Sequence, residues 1–230
     1  MGSSPAEAPR TVDAHSAPSS VATHAFPVTP SQGGLVVHHY EGSRAVVVGG
    51  SIGGLTSALL LRKLGFTVDV FERTPEQLDH RGGGIVLQPV TMKWFDGHSA
   101  RRINELSTSS SRLRYLGPGD TIVHEEPATW RYTSWGTVYR ALLDDFGREH
   151  YHLGEFCAGF SQDADQVELR FVSGRVERAD LVVFADGISS TARRRMFPDL
   201  DRQYSGYVAG AAPSARTRSR HRPTTCSPTR

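Results

Sequence analysis

An α/β fold built on a parallel sheet is predicted by three features of the chain. The run Ala45-Val46-Val47-Val48 is continuously apolar and stops at Gly49-Gly50-Ser51-Ile52-Gly53-Gly54. A second strand-like run, Val68-Asp69-Val70-Phe71, ends in Glu72-Arg73. A third, Leu181-Val182-Val183-Phe184-Ala185, ends in Asp186-Gly187. Short, near-continuous apolar runs read as strands covered on both faces, the environment of a parallel sheet.

The first two runs belong to one βαβ unit. Between them lie the glycine-rich turn, an apolar helix from Leu55 to Leu64 and a stop at Gly65. The N-terminus of such a helix offers unpaired N–H groups and a partial positive charge, which suit the phosphates of a dinucleotide. Aligned on Gly49 and Gly54, the middle glycine of G-x-G-x-x-G is replaced by Ser51. Serine is the smallest polar substitute, and its hydroxyl can itself donate to a phosphate oxygen. Glu72 follows Gly49 by 23 residues, the spacing at which a carboxylate accepts from a ribose diol. A carboxylate there favours an unphosphorylated ribose, whereas the adjacent Arg73 is the group that would receive a 2′-phosphate. The expected dinucleotide site is therefore Gly49, Gly50, Ser51, Ile52, Gly53, Gly54, Glu72 and Arg73; the alternative is a structural βαβ turn with no ligand.

Further along, Arg81-Gly82-Gly83-Gly84-Ile85-Val86-Leu87 reads as a glycine turn entering a short strand, and Trp94 to Leu106 as a helix. Leu113 to Leu116 and Thr121 to Val123 flank Gly117-Pro118-Gly119-Asp120, a hairpin signal. Val138, Leu142, Leu143 and Phe146 give Thr137 to Phe146 a helical apolar face. Tyr151 to Phe156 reads as a strand. Cys157 to Phe160, Val167 to Val172 and Arg175 to Val176 form an antiparallel meander. The run Leu181 to Ala185 is predicted as a buried parallel strand, followed by a short helix from about Thr191 to Met196.

Composition bounds the function. The chain has 230 residues, 38% of them hydrophobic and 22% charged. The net charge of +2 is uneven, because the residues after Gly210 hold five arginines and no acid; without them the remainder is −3. The folded part thus offers no basic face, and nucleic acid is not an expected partner. Cys157 and Cys226 show no metal or redox spacing, and His38, His39, His98, His150 and His152 lack companions at ligand spacing. No apolar run approaches the roughly 18 residues of a membrane span. A secretory signal pattern is absent, and Ala6 stands where a myristoylation signal needs Ser or Thr. A cytoplasmic, reducing setting is the expectation.

Four stretches together carry a family resemblance: Val46 to Leu55 with Phe71-Glu72-Arg73; Arg81-Gly82-Gly83-Gly84-Ile85; Ser134-Trp135-Gly136-Thr137-Val138-Tyr139-Arg140-Ala141-Leu142; and Phe184-Ala185-Asp186-Gly187 to Arg193, ending near Tyr204 to Ala209. Over about residues 44 to 209 the chain resembles the flavoprotein aromatic hydroxylases of the para-hydroxybenzoate hydroxylase-like family, and within it the 2,6-dihydroxypyridine 3-hydroxylase type. The resemblance implies a Rossmann-like FAD-binding βαβ domain with an antiparallel meander and part of a substrate sheet, incomplete relative to the family. It implies FAD as cofactor, NADH or NADPH as co-substrate, and hydroxylation of a small aromatic or pyridine ring. Gly49 to Gly54 would hold the FAD pyrophosphate and Glu72 the adenosine ribose. Arg140 would reach the cofactor from the helix after the tryptophan, and Asp186 and Gly187 would close over the pyrophosphate side. Arg140 as an ordinary exposed helix residue, and Asp186-Gly187 as a turn and helix cap, are the alternatives. No catalytic residue is assigned.

The family's second flavin motif, of the Gly-Asp-Ala-Ala-His kind, has no counterpart in this sequence. The expected organisation is a disordered leader over 1–42, rich in Ala, Ser, Pro, Thr and His, an FAD-binding domain over 43–209, and a disordered Arg-rich tail over 210–230. GC-rich coding DNA read out of frame produces such Ala, Arg, Pro, Ser and Thr mixtures, so a frameshift is the favoured origin of the tail. A basic arm for nucleic acid or an acidic partner is the alternative. Impaired turnover is expected of such a chain, the second reading being a nucleotide-binding pseudoenzyme.

Overall fold

The computed structural model describes residues 40–79, 81–200 and 202–206. Residues 1–39 of the expected leader, the tail and Cys226 lie outside the described residues. Tyr40–Gly42, assigned above to the leader, form a turn whose Tyr40 ring stacks on Phe66 at 4.5 Å.

Strand β1 (Arg44–Val48) has no side exposed to water. It pairs in parallel with β10 (Leu181–Phe184) on one edge and β2 (Thr67–Glu72) on the other, and β6 (Tyr151–Leu153) extends the sheet beyond β2. Successive side chains of a strand point to opposite faces. Ala45 and Val47, with Val68 and Val70 of β2, therefore meet helix α1 (Ile52–Lys63) and helix α4 (Trp135–Phe146) through Leu55, Ala58, Leu142 and Leu143. Val46 and Val48 meet the antiparallel meander β7 (Cys157–Gln162), β8 (Val167–Phe171) and β9 (Val176–Ala179) through Leu169, Phe171 and Ala179. The result is helices, parallel sheet and meander in three layers. β10 differs from its apolar reading. It is the edge strand of the sheet, and all four of its residues are half-buried.

A second, antiparallel sheet has the order β3 (Gly84–Leu87), β5 (Ile122–Ser134), β4 (Thr108–Leu116). Its hairpin is far longer than the turn signal alone suggested, and its outer part leaves Tyr115, Leu116, Ile122, Val123 and Trp130 exposed. The single helix expected from Trp94 to Leu106 is instead two: α2 (Pro89–Gly97) and α3 (Ile103–Leu106). Pro89 sits in the first turn of α2, where its missing N–H is no loss, and so starts the helix early. Ser134 caps α4 by accepting from the Thr137 N–H at 3.0 Å. The last helix, α5 (Thr191–Met196), follows a 3₁₀ turn over Gly187–Ser189. Between α1, β3, α2 and α4 lies an apolar hollow of about 540 Å3 lined by Leu60, Leu87, Trp94 and Leu142 among others. Among the described residues no helix is long and apolar enough to cross a membrane.

The N-terminal end of β1 is fastened by charge. The Arg44 guanidinium reaches Asp69 of β2 at 2.9 Å and Glu177 of β9 at 2.7 Å, and so ties two layers together. His150 Nδ1 and His152 Nε2 both approach Asp69 Oδ1 at 3.1 Å. These histidines, which lacked companions in sequence, share one carboxylate across the β2–β6 pair. Burial alone would raise the Asp69 pKa, but hydrogen bonds from His152, Arg44 and His150 outweigh it and bring the carboxyl down to about 2. A depressed carboxylate stabilises the fold above its unfolded pKa, and that contribution disappears as pH falls through the folded value. Stability should therefore be lost between pH 3.8 and about 2. In Asp69→Asn the same acid titration, followed by circular dichroism, should show a shallower pH dependence in that window and a lower melting temperature at neutral pH.

Candidate functional site

The loops that leave β1, β2 and β10 at their C-terminal ends converge on one cleft. It is about 260 Å3 in volume and is lined by Gly49, Ser51, Gly53, Glu72, Arg73, Arg81, Trp135, Glu155, Phe156, Cys157, Asp186 and Gly187 among others. The crevice beyond the strand ends is where open α/β sheets bind ligands. The glycine-rich turn and Asp186, about 135 residues apart in sequence, meet here because β1 and β10 are hydrogen-bonded neighbours.

The turn is shaped first by the protein's own packing. Gly49 has φ +106, and a Cβ on it would strike the Ala185 carbonyl. Its N–H donates to the Phe71 carbonyl at 2.8 Å, and Ala185 N–H donates to the Val48 carbonyl at 2.7 Å, so all three strand ends are laced together. A Cβ on Gly54 would strike the Gly49 carbonyl, and one on Gly50 would strike the Tyr151 phenol. Gly53 is the exception, since a Cβ there would meet nothing within 4 Å. The sequence reading placed close ligand approach at the middle motif position, Ser51. Within the turn, the open glycine facing the cleft is Gly53.

Ser51 is the N-cap residue of α1, with ordinary extended backbone, but its side chain makes no capping bond. The first turn of α1 contains no acidic residue. The first helical hydrogen bond runs from Leu55 N–H to the Ser51 carbonyl. The N–H groups of Ile52, Gly53 and Gly54 precede it and have no intrahelical acceptor. This helix end carries the positive pole of its dipole with no acid in its own first turn, while Arg62 and Lys63 answer the opposite pole.

Glu72 is only 6% exposed. Its Oε2 accepts from Gly50 N–H at 2.8 Å, and its Oε1 from Thr74 N–H at 3.0 Å and Thr74 Oγ1 at 2.8 Å. A carboxylate has about four lone-pair sites. Three are used within the protein, so this residue braces the turn as well as facing the cleft, a role its sequence position did not reveal. Asp186 splits its two oxygens. Oδ2 accepts from Thr191 N–H at 2.8 Å, while Oδ1 is buried and has no partner among the described residues. The helix-cap alternative is thus correct for one oxygen and leaves the other as an orphaned acceptor at the cleft. Gly187 (φ +77) begins the turn that carries Asp186 toward α5.

Arg73 is exposed at the cleft rim, and Arg81 joins it there. Arg140 is placed elsewhere: it is exposed on α4 and does not line the cleft. The α4 residue that does is Trp135, whose ring stacks on Tyr139 at 5.2 Å. A Cβ on Gly82 would lie 2.6 Å from Trp135, so the Arg81-Gly82-Gly83-Gly84 loop is seated on this indole. Its composition was the only signal that could have marked Arg81. The Glu155–Cys157 wall carried no sequence signal. Burial pushes the Cys157 thiol pKa up; a backbone hydrogen bond with Gly159 acts against this and nearby Asp186 reinforces it. A thiol held protonated by burial is a weak nucleophile.

Uncapped amides, an open glycine, a ribose-spaced carboxylate and an orphaned acceptor fit the adenosine and pyrophosphate end of a dinucleotide. The volume lies just below the ~300–1,000 Å3 typical of ligand pockets.

Comparison with known proteins agrees with this geometry. A family model described as "FAD binding domain" matches residues 43–215. The 2,6-dihydroxypyridine 3-monooxygenase of Paenarthrobacter nicotinovorans is 40% identical over 169 residues, which cover 72% of this chain and 41% of that protein. The 6-hydroxynicotinate 3-monooxygenase of Bordetella bronchiseptica is 30% identical over 197 residues, covering 74% and 47% respectively. The solved structure of 2,6-dihydroxypyridine-3-hydroxylase from Arthrobacter nicotinovorans superposes with a TM-score of 0.66 and 39% identity, over 71% of this chain and 42% of that one. The chain spans less than half the length of each of these proteins. With its parallel sheet, its turn and its cleft in the arrangement described, the chain belongs to the FAD binding domain family.

Proposed function

We propose that the cleft holds FAD by its adenosine and pyrophosphate end, and that this chain is the FAD-binding portion of an NAD(P)H-using monooxygenase acting on an electron-rich N-heteroaromatic ring. The observation that carries this is the meeting of α1's uncapped N-terminus with the orphaned Asp186 Oδ1 in one cleft. The amides of Ser51 to Gly54 would receive the pyrophosphate, with Arg73 and Arg81 adding positive charge at the rim. Glu72 would accept from the ribose with its remaining lone pair. Asp186 Oδ1 would accept from a hydroxyl of the bound molecule. Arg140 stands outside this set unless the bound cofactor extends past the cleft. When bound, the flavin supplies acceptance of hydride from NADH or NADPH and activation of dioxygen. The ring class is supported by two relatives, named for a dihydroxypyridine and a hydroxynicotinate.

A second reading, nucleotide binding without turnover, is favoured by one observation. The β3–β5–β4 sheet, which the family resemblance makes a substrate wall, leaves Leu116, Val123 and Trp130 exposed. Hydroxylation needs the reacting ring held in a water-poor pocket. In this chain the outer part of that sheet is open to solvent.

Three measurements test these readings. Titration should show FAD bound more tightly than NADP⁺, with Glu72→Gln weakening FAD at least tenfold (about 1.4 kcal/mol). Tighter binding of NADP⁺, abolished by Arg73→Ala but not by Glu72→Gln, would refute the assignment. Gly53→Ala should fold as well as the parent, because the added methyl meets nothing within 4 Å and alanine favours helix by about 1 kcal/mol. It should nonetheless lower FAD affinity by an order of magnitude or more; unchanged affinity would remove Gly53 from the site. Supplied with FAD, NADH or NADPH and a panel of dihydroxypyridines and phenols, the 230-residue chain should release hydrogen peroxide in place of hydroxylated ring. Stoichiometric ring hydroxylation would refute that expectation.

A further inference from the structure

Two buried tyrosines stand behind the turn, on the side away from the cleft. Tyr139 of α4 and Tyr151 at the start of β6 are 0% and 8% exposed, and neither lines the cleft. Their hydroxyls are 3.2 Å apart, and the Tyr151 hydroxyl is 2.9 Å from the Gly50 carbonyl oxygen. A phenol has one proton, and a carbonyl oxygen can only accept. Tyr151 therefore donates to Gly50, and Tyr139 must be the donor to Tyr151. On the other side of the same α-carbon, Gly50 N–H donates to Glu72 at 2.8 Å. Both peptide groups that flank Gly50 are thus held by side chains.

The consequence lies in the peptide plane. In a trans peptide the C=O and the following N–H point in opposite directions. With the Gly50 carbonyl drawn back to the buried phenol, the Ser51 N–H is turned forward, and Ser51 lines the cleft. Glycine has little intrinsic preference for one orientation of that plane, so the phenol supplies what the backbone lacks. Glycine is required there for the same reason: a Cβ on Gly50 would lie 2.6 Å from the Tyr151 ring carbon that bears the hydroxyl. Burial raises the Tyr151 pKa, and Tyr139, Glu72 and Asp79 raise it further, so the donor stays protonated at any working pH.

We infer that Tyr151, backed by Tyr139, is a positioning residue of the nucleotide site: it locks the Gly50–Ser51 peptide so that the Ser51 N–H faces a ligand phosphate. This rests on the FAD reading above. The residue never touches the ligand and acts only through the peptide it holds.

The test uses the full chain with Tyr151→Phe and Tyr139→Phe. Carbonyl ¹³C NMR of the nucleotide-free protein reads the Gly50 hydrogen bond directly, and the Gly50 signal should move in Tyr151→Phe. Dissociation constants for FAD and ADP should rise roughly two- to twelvefold in Tyr151→Phe, the range expected for one hydrogen bond. The constant for adenosine, which has no phosphate, should stay within twofold. Tyr139→Phe should move FAD and ADP the same way by a smaller factor, and should Tyr151→Phe not fold, an unchanged ADP constant in Tyr139→Phe overturns the role. Folded Tyr151→Phe with FAD and ADP constants within twofold of the parent overturns it, and so does an equal loss for adenosine, which marks general loosening. A parent chain that binds neither FAD nor ADP overturns the cofactor reading and this role together, whereas parent binding with no change in the variants overturns this role alone.

Discussion

Enclosure of β1 is the constraint on which the rest depends. β10 and β2 take up the hydrogen bonds of its two edges, helices cover Ala45 and Val47, and the meander covers Val46 and Val48. A strand held on four sides fixes where its C-terminal end lies. The chain must then reverse at Gly49 against the Ala185 carbonyl and start α1 at once, with Gly54 pressed on the turn. The position of the helix end, and so of its unpaired amides, is a consequence of that packing. Removing a methyl from Val46 or Val47 would act on the cleft only through this chain of contacts.

Charge is distributed to match. The far end of β1 is secured by ion pairs among Arg44, Asp69 and Glu177, where partly buried partners satisfy one another. At the cleft end the pattern differs: the first turn of α1 holds no acid and its N-cap side chain makes no bond, Glu72 is engaged by Gly50 and Thr74, and Asp186 keeps one oxygen unpaired. Unsatisfied buried polar groups are disfavoured in a structure stabilised by packing alone. Among the described residues two buried side-chain oxygens lack a partner, Asp79 Oδ1 and Asp186 Oδ1, and the second lies at the strand-end crevice.

Two apolar features lie outside that site. The hollow between α1, β3, α2 and α4 and the outer β4–β5 hairpin both present large side chains to solvent, Val90, Leu116 and Val123 among them. Contiguous exposed apolar surface favours association. These surfaces belong to the α2 and antiparallel-sheet side of the chain, and the relatives extend well beyond the region matched here.

The sequence by itself determined the parallel strands, the helix between the first two and the three-stranded meander, because unbroken apolar runs, a glycine stop and period-two alternation are local signals. It also marked Gly49, Ser51, Gly53, Glu72 and Asp186, whose spacing from strand ends is a property of the chain. It misjudged α2 and α3, where Pro89 overrides the apolar pattern, and it took β10 for a fully covered strand when it lies at an edge. Only the tertiary structure decided what those site residues face. Glu72 was legible as a carboxylate at ribose distance, but its bond to Gly50 depends on how the two loops meet. Tyr151 shows no site signal in sequence, since a tyrosine opening a short strand reads as core. It reaches Gly50, 101 residues away, only because β6 lies beside β2. Arg140 shows the converse: its helix was foreseen, but the direction of its side chain depends on which face of α4 packs, and that face is set by the partners α4 finds.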